Sequence, residues 1–340
     1  MRPVEALERI AYLLERGREE TYRVRAYRGA ANAIRGFADD ELRRLAGSGK
    51  LRDLPGVGEK TEQVIVEALA GDVPAYLRKL EGNLDQAEDE RGKSIRAALK
   101  GDCHMHSDWS DGGSPIRDMA LAARELGHEW VALTDHSPRL TVARGLTTER
   151  LRDQLQLVRE LNQELAPFRI LTGIEVDILD DGGLDQDPDL LAELDVVVAS
   201  VHSKLRQDSE GMTARMLAAV ANPLVNVLGH CTGRLVVGRG RPESTFDAEA
   251  VFSLCAEHDV AVEINSRPER LDPPKRLLSQ ALTLGCNFVI DTDAHAPGQL
   301  DWQSYGCDRA AACDVPLERI MNRLPEAEFL AWTGAGKRGQ

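Results

Sequence analysis

A chain of 340 residues can bury a substantial core, in one large domain with a small companion or in two of middling size. Its apolar fraction of 42% and charged fraction of 29% are those of a globular protein, and no apolar run is long enough to span a bilayer. The formal charge of −14 excludes a protein that coats nucleic acid by bulk electrostatics, but it is unevenly spread: residues 1–80 hold 15 Lys and Arg against 13 Asp and Glu, leaving 27 against 43 for the remainder.

The chain starts with charged residues throughout and lacks the short apolar core of a secretory signal, so a cytoplasmic location is expected. Residues 4–16, 27–37 and 39–47 space their apolar side chains as helices do. Leu54-Pro55-Gly56-Val57-Gly58 then leads into a predicted helix over 60–69, which makes a helix-hairpin-helix signature. A glycine turn ahead of a helix start lets the backbone approach an anion, with unpaired N–H groups aimed at it. Residues 1–82 are therefore expected to form a helical domain, and the polar stretch 83–100 a linker with one short helix near 92–99.

From residue 101 to 340 the pattern changes to short apolar runs separated by amphipathic stretches, the alternation of an α/β fold. Strands are predicted at 101–105, 130–134, 169–174, 195–201, 225–229, 260–264 and 287–291. Helices are predicted at 115–127, 148–165, 211–221, 246–258, 274–284 and 300–313. Seven such strands suggest a barrel-like sheet.

All eight histidines lie between residues 104 and 295, and six fall at or just past the C-terminal end of a predicted strand. Parallel barrels gather functional groups on that face, so residues distant in sequence meet in one cleft. His104 and His106 alternate to one side of the first strand, Asp111 follows in Ser-Asp-Gly, and His136 ends Val-Ala-Leu-Thr-Asp-His. Glu175, His202, His230, Asp293 and His295 close later apolar runs in the same way. Six imidazoles and three carboxylates exceed the needs of one ion, and mixed nitrogen and oxygen ligation suits Zn²⁺, Mn²⁺ or Fe²⁺. His128 and His258 lack this position and are given no role. The six cysteines, without CxxC spacing, are expected as buried thiols rather than disulfides or ligands.

At these residues the sequence resembles the PHP family, the polymerase and histidinol phosphatase domains. That resemblance implies a distorted (β/α)₇ barrel and three divalent ions. By it His104, His106, Glu175 and Asp293 would hold one ion, Glu175, His202 and His230 a second, and Asp111, His136 and His295 a third. Three such ions against three carboxylates leave a formal charge of about +3, which suits an anionic substrate. Clusters of this kind lower the pKa of a bound water and stabilise phosphoryl oxygens, so no protein nucleophile is required.

The preceding region is similar to the 8 kDa domain of family X DNA polymerases, in Tyr22-Arg23-Val24-Arg25-Ala26-Tyr27-Arg28 and Leu54 to Lys60. The resemblance implies sequence-independent binding to the DNA backbone, with Arg23, Arg25, Arg28, Gly56, Gly58 and Lys60 as candidate contacts. Residues 83–100 leave no room for a polymerase palm, so no nucleotide polymerisation is expected. Val64 stands where the deoxyribose-phosphate lyase of the polymerase beta domain has its Schiff-base lysine, so lyase activity is not expected either.

Lys204, Arg234, Arg239, Arg241, Arg267 and Arg270, with Asn265, follow ligand-bearing strands and are candidate contacts to substrate phosphate. The expected function is metal-dependent hydrolysis of DNA, as a 3′-to-5′ exonuclease or 3′-end processing enzyme of repair. A small-molecule phosphomonoesterase of the histidinol phosphatase type is the alternative enzyme, and a DNA-binding scaffold with an inactive barrel the alternative without catalysis.

Overall fold

The computed structural model describes residues 1–83 and 89–334, and the chain divides into two compact units, Met1–Ala87 and Glu88–Gln340. The first is built from α1 (Pro3–Arg16), α2 (Thr21–Ile34), α3 (Asp39–Gly47), α4 (Glu59–Leu69) and α5 (Ala75–Gly82). Leu7, Ile10 and Leu14 of α1 lie one helical turn apart and meet Tyr27, Ala30 and Ile34 of α2 with Val64, Ile65 and Ala68 of α4 in one apolar core. Gly56 makes the turn before α4 at φ +88°, and a Cβ there would lie 3.2 Å from the carbonyl of Gly29. The turn and the packing of α2 beneath it thus both require glycine. Helix α2 starts at Thr21 rather than at residue 27 as its apolar spacing suggests, because the arginine-rich first turns make the exposed face of the same helix.

In the second unit a helix α6 (Glu90–Ala98) precedes seven strands: β1 (Gly101–Met105), β2 (Trp130–Leu133), β3 (Arg169–Asp177), β4 (Val196–Ser200), β5 (Val227–Leu228), β6 (Ala261–Asn265) and β7 (Phe288–Asp291). All neighbouring pairs are parallel in the order β1 to β7. The seam between β7 and β1 is closed by side chains more than by ladder bonds. Asp291 accepts the Cys103 amide at 2.8 Å, Thr292 donates to Asp102 at 2.6 Å, and Met105 bridges Ala294. The result is a nearly closed seven-stranded barrel.

Outside the strands lie α7 (Ile116–Glu125), α8 (Thr148–Leu165), the short α9 (Pro188–Ala192), α10 (Ser209–Val220), α11 (Ala248–Glu257), α12 (Lys275–Thr283) and α13 (Gln303–Ala312). Helix α6 packs on α13 and contributes Ile95 and Leu99 to the barrel's outer core, so this part of the expected linker 83–100 is structural. Residues 84–88 of that linker lie outside the described residues.

The barrel interior explains where the site must be. Trp130, Ala132, Leu171, Val196, Val198, Val227, Ala261 and Val289 form one cluster, and Phe329 of a last helix α14 (Glu326–Thr333) joins it, its ring centroid 4.2 Å from that of Trp130. Side chains along a strand repeat every second residue, so the inward face of each strand is apolar at one end and continues toward the other. Continuing by twos from Leu171 reaches Glu175, from Ala261 reaches Glu263 and Asn265, and from Val289 reaches Asp291 and Asp293. One end of the barrel is filled with hydrocarbon and the C-terminal end with ionisable groups.

Candidate active site

Glu175, at the inward end of β3 and 1% exposed, is the hub of that polar end. Its Oε2 lies 2.9 Å from His136 Nδ1, 3.3 Å from His104 Nε2 and 3.6 Å from His106 Nε2. Its Oε1 lies 2.9 Å from His230 Nε2 and 3.3 Å from His202 Nε2. Asp111 approaches His295 Nε2 at 3.3 Å and His136 Nε2 at 3.5 Å, while Asp293 Oδ1 lies 3.5 Å from His106 Nε2. The structure therefore gathers all nine residues singled out as ligands into one cluster, from six strands that span most of the barrel's sequence.

Most of these short distances are not hydrogen bonds. Among the described residues no hydrogen-bond partner meets His104 Nε2, either ring nitrogen of His106 or His202, His136 Nδ1, His230 Nδ1 or Glu175 Oε2, all of them buried atoms. Buried polar atoms left unsatisfied each cost on the order of 1–3 kcal/mol, so a cluster of them in one place has to be compensated. Imidazole nitrogens and carboxylate oxygens that converge without bonding one another are the donor set divalent cations require.

Three overlapping groups bring donor atoms within 4.8 Å of one another: His106, Asp111, His136 and His295; His104, His106 and Glu175; and His136, Glu175 and His202. This partition differs from the one the family resemblance implies. His106 stacks on His295 with ring centroids 4.2 Å apart and lies tilted against His136 at 4.4 Å, which draws it toward the Asp111 group. His230 and Asp293 sit at the edge, within reach of Glu175 and His106 respectively.

Electrostatics keeps the cluster ready for cations. Burial opposes ionisation of Glu175, but the charges of His104, His202 and His136 outweigh it and hold the carboxyl well below its ordinary range. Asp293 is likewise buried and likewise held low, by Arg270 and Arg267. Burial, then the neighbouring His295 and His136, push His106 well below its ordinary value, so that ring is a neutral donor. His202 moves the other way: burial lowers it, but Glu175 and Asp177 raise it to about 9. A cation binding there must displace that proton.

Three carboxylates that sequence reasoning passed over hold the ligands in place. Glu263, 1% exposed, accepts from His104 Nδ1 at 2.6 Å and from the His230 amide at 2.5 Å, and so orients the His104 imidazole and pins the backbone that carries His230. Asp135 accepts from the Ser107 amide and hydroxyl at 2.8 Å and 2.6 Å and from Gln154 at 2.7 Å, fixing the loop that carries Asp111. Asp177 accepts the His202 amide at 3.1 Å. The signal for Glu263 was present in Val-Glu-Ile-Asn, where it shares a face with Asn265.

The candidate phosphate contacts separate into kinds. Arg270 reaches Asp293 at 3.0 Å, Arg267 lies 3.1 Å from His295 Nδ1, and Asn265 lies 3.3 Å from Asp293, so these three border the cluster. Arg234 and Arg241 bond backbone carbonyls, Arg270 and Leu271 for the first and Gly233 for the second. Lys204 pairs with Asp180 at 2.6 Å, and Arg239 is exposed.

In the helical unit Arg28 is held by the buried Glu15 at 2.8 Å, which spends it on packing α1 against α2 rather than leaving it for DNA. Arg23 is engaged with Glu19 and the Tyr76 hydroxyl. Arg25 and Lys60 are exposed. Gly58 caps α4, its amide bonded to Thr61 Oγ1 at 2.9 Å. Gly56, Gly58, Lys60, Arg23, Tyr22, Tyr27 and Tyr76 line a cleft of about 600 Å³ in this unit. Val64 is 2% exposed and part of the helical core.

A parallel barrel whose strand ends converge on buried imidazoles and carboxylates has the donor set of a centre for divalent metal ions. Residues 2–73 match the helix-hairpin-helix domain family and residues 102–267 the PHP domain. The DNA polymerase/3′-5′ exonuclease PolX of Bacillus subtilis (strain 168) is 42% identical over 250 residues, 74% of this chain; the chain spans only 44% of that protein's length. A probable phosphatase of Shewanella sp. (strain MR-4) is 30% identical over 249 residues, covering 68% of this chain and 92% of the phosphatase. Among solved structures, histidinol phosphate phosphatase of Lactococcus lactis subsp. lactis Il1403, complexed with zinc, L-histidinol and phosphate, superposes with a TM-score of 0.47 at 21% identity over 63% of this chain and 92% of its own. This chain belongs to the PHP-domain family: it is a metal-dependent phosphoesterase, related to the PolX exonuclease and to phosphatases.

No helix among the described residues is long and apolar enough to cross a membrane.

Proposed function

We propose that this protein hydrolyses DNA phosphodiesters, removing nucleotides 3′ to 5′ from strand ends during repair, and that it does not polymerise nucleotides. The observation that carries this reading is the union in one chain of a helix-hairpin-helix unit with a buried imidazole and carboxylate cluster. The first gives affinity for the DNA backbone through exposed cations such as Arg25 and Lys60 and the anion-accepting start of α4. The nine clustered residues would hold three divalent ions, Zn²⁺ or Mn²⁺, which would supply an activated water and offset charge on the phosphoryl oxygens. Arg267 and Arg270, at the rim beside Asp293, orient the scissile phosphate, and Asn265 donates to the same Asp293 Oδ2 that Arg270 reaches.

One observation favours a second reading, hydrolysis of small phosphomonoesters: the probable phosphatase relative aligns over 92% of its length and 68% of this chain. The test is Mn²⁺-dependent degradation of 3′-labelled and 5′-labelled DNA beside a phosphomonoester assay, with His104→Ala as the control. Mononucleotides released first from the 3′ label, and lost in His104→Ala, support the exonuclease. Phosphomonoester cleavage with intact DNA transfers the reading to the phosphatase.

A further inference from the structure

Between β5 and α11 the chain makes a small hairpin that no step above uses. Leu235 and Arg241 face each other as an antiparallel bridge with backbone bonds of 2.9 Å and 2.8 Å, and Gly238 and Gly240, at φ +69° and +64°, turn the tip. The base of the hairpin is fastened to the β6 loop that carries Arg267 and Arg270. Val236 N donates to Glu269 O at 2.7 Å, Arg234 Nε donates to Arg270 O at 3.0 Å, and Thr232 Oγ1 donates to Asp272 at 2.7 Å. The hairpin is thus a rigid projection beside the rim of the cluster, on the C-terminal face to which His230 also belongs.

Its tip has a composition that folding alone does not explain. Val236 and Val237 are each 49% exposed, beside the exposed Arg239. An aliphatic pair in water gains nothing for the fold, and beside it no ion pair to a carboxylate is made by Arg234, Arg239 or Arg241 among the described residues, although the charge of Asp272 is felt at Arg241. A surface that is apolar at its crest and cationic at its flanks complements an anionic polymer with apolar faces. Bases in a duplex keep those faces stacked on one another, so only an unpaired strand offers them to two valines.

We infer that the tip Val236–Gly240 is a strand guide, which seats an unpaired nucleotide next to the scissile phosphate against Val236 and Val237 while Arg239 contacts the adjoining backbone phosphate. This deepens, and rests on, the DNA-hydrolase reading above. It makes single-stranded ends the preferred substrate and gives the barrel a means of separating DNA from small phosphoesters that does not involve its ligands.

The test compares full-length wild type with Val236→Ser/Val237→Ser and with Arg239→Gln, using Mn²⁺, a single-stranded oligonucleotide, the same strand in a blunt duplex, and bis(p-nitrophenyl) phosphate. The valine variant is expected to lower the ratio of single-stranded DNA to small-diester kcat/KM about tenfold. Arg239→Gln should reduce the slope of log kcat/KM for DNA against log salt by about 1. Equal loss on both substrates would make the hairpin a structural element and overturn the inference, as would an unchanged ratio. Sedimentation of each variant covers the rival occupant: a shift in oligomeric state with an unchanged ratio assigns the valines to a second copy of the chain and also overturns it. If wild type leaves DNA intact while cleaving the small diester, it is the DNA-hydrolase reading itself that falls.

Discussion

The two units of this chain handle charge in opposite ways. The barrel buries its functional groups at one end of a hydrocarbon-filled cylinder and leaves most of their nitrogens and oxygens without hydrogen bonds to one another. The helical unit keeps its cations on the surface and pairs many of them: Arg28 with Glu15, Arg35 with Glu8, Arg52 with Glu62. Ligation demands convergence and burial, whereas backbone binding to DNA demands only exposed positive charge, so the first leaves a deep structural imprint and the second a shallow one.

Separating the units by mutation sharpens this contrast, and the largest effect should come from the hub. Glu175→Gln removes the charge that five histidines face, and DNA hydrolysis should fall at least about a thousandfold in kcat/KM while DNA affinity in a gel-shift assay stays within twofold or so. If affinity fell in parallel, the division of labour between the units would be wrong. Glu263→Gln is the next step outward: it leaves every ligand in place but weakens the grip on His104 and His230. Metal affinity measured by competition with a chelator dye should drop by about 10- to 100-fold, with an unchanged circular dichroism spectrum.

On the other side of the comparison, Gly56→Ala forces a left-handed φ and a contact with the Gly29 carbonyl. It should destabilise the helical unit by about 1–2 kcal/mol, read as an earlier first transition in calorimetry, without altering small-diester hydrolysis by the barrel. Lys60→Gln should have the smallest effect, a modest loss of DNA affinity with a reduction of about 1 in the salt slope. An unchanged slope would leave Lys60 as ordinary surface charge.

The same contrast explains what could be read from sequence. His136, Glu175, His202, His230 and Asp293 were legible because a polar residue ending an apolar run is where a parallel strand delivers its inward face to the barrel mouth. Glu263 was passed over although Val-Glu-Ile-Asn puts it on the face of Asn265, because a charge one position inside such a run resembles an alternation rather than a site. In the helical unit, Arg23, Arg25 and Arg28 look alike in sequence, and only tertiary packing places the buried Glu15 opposite Arg28 and leaves Arg25 exposed. Helices α5, α9 and α14 are short and begin beside prolines, and the role of Phe329 as the plug under Trp130 exists only once the barrel is closed. The strand boundaries were readable to within a few residues because β1, β4, β6 and β7 are buried along their whole length, so each shows as a short run of mostly apolar residues broken only by the polar groups aimed at the seam and the site.

The most direct test of the account is to measure, on one preparation, bound metal by mass spectrometry and 3′-end hydrolysis of single-stranded DNA, before and after chelation and re-addition of Mn²⁺ or Zn²⁺. The account predicts stoichiometric metal, hydrolysis that vanishes with it and returns on re-addition, and neither in Glu175→Gln. A protein that holds no stoichiometric metal and hydrolyses nothing with either ion would contradict it.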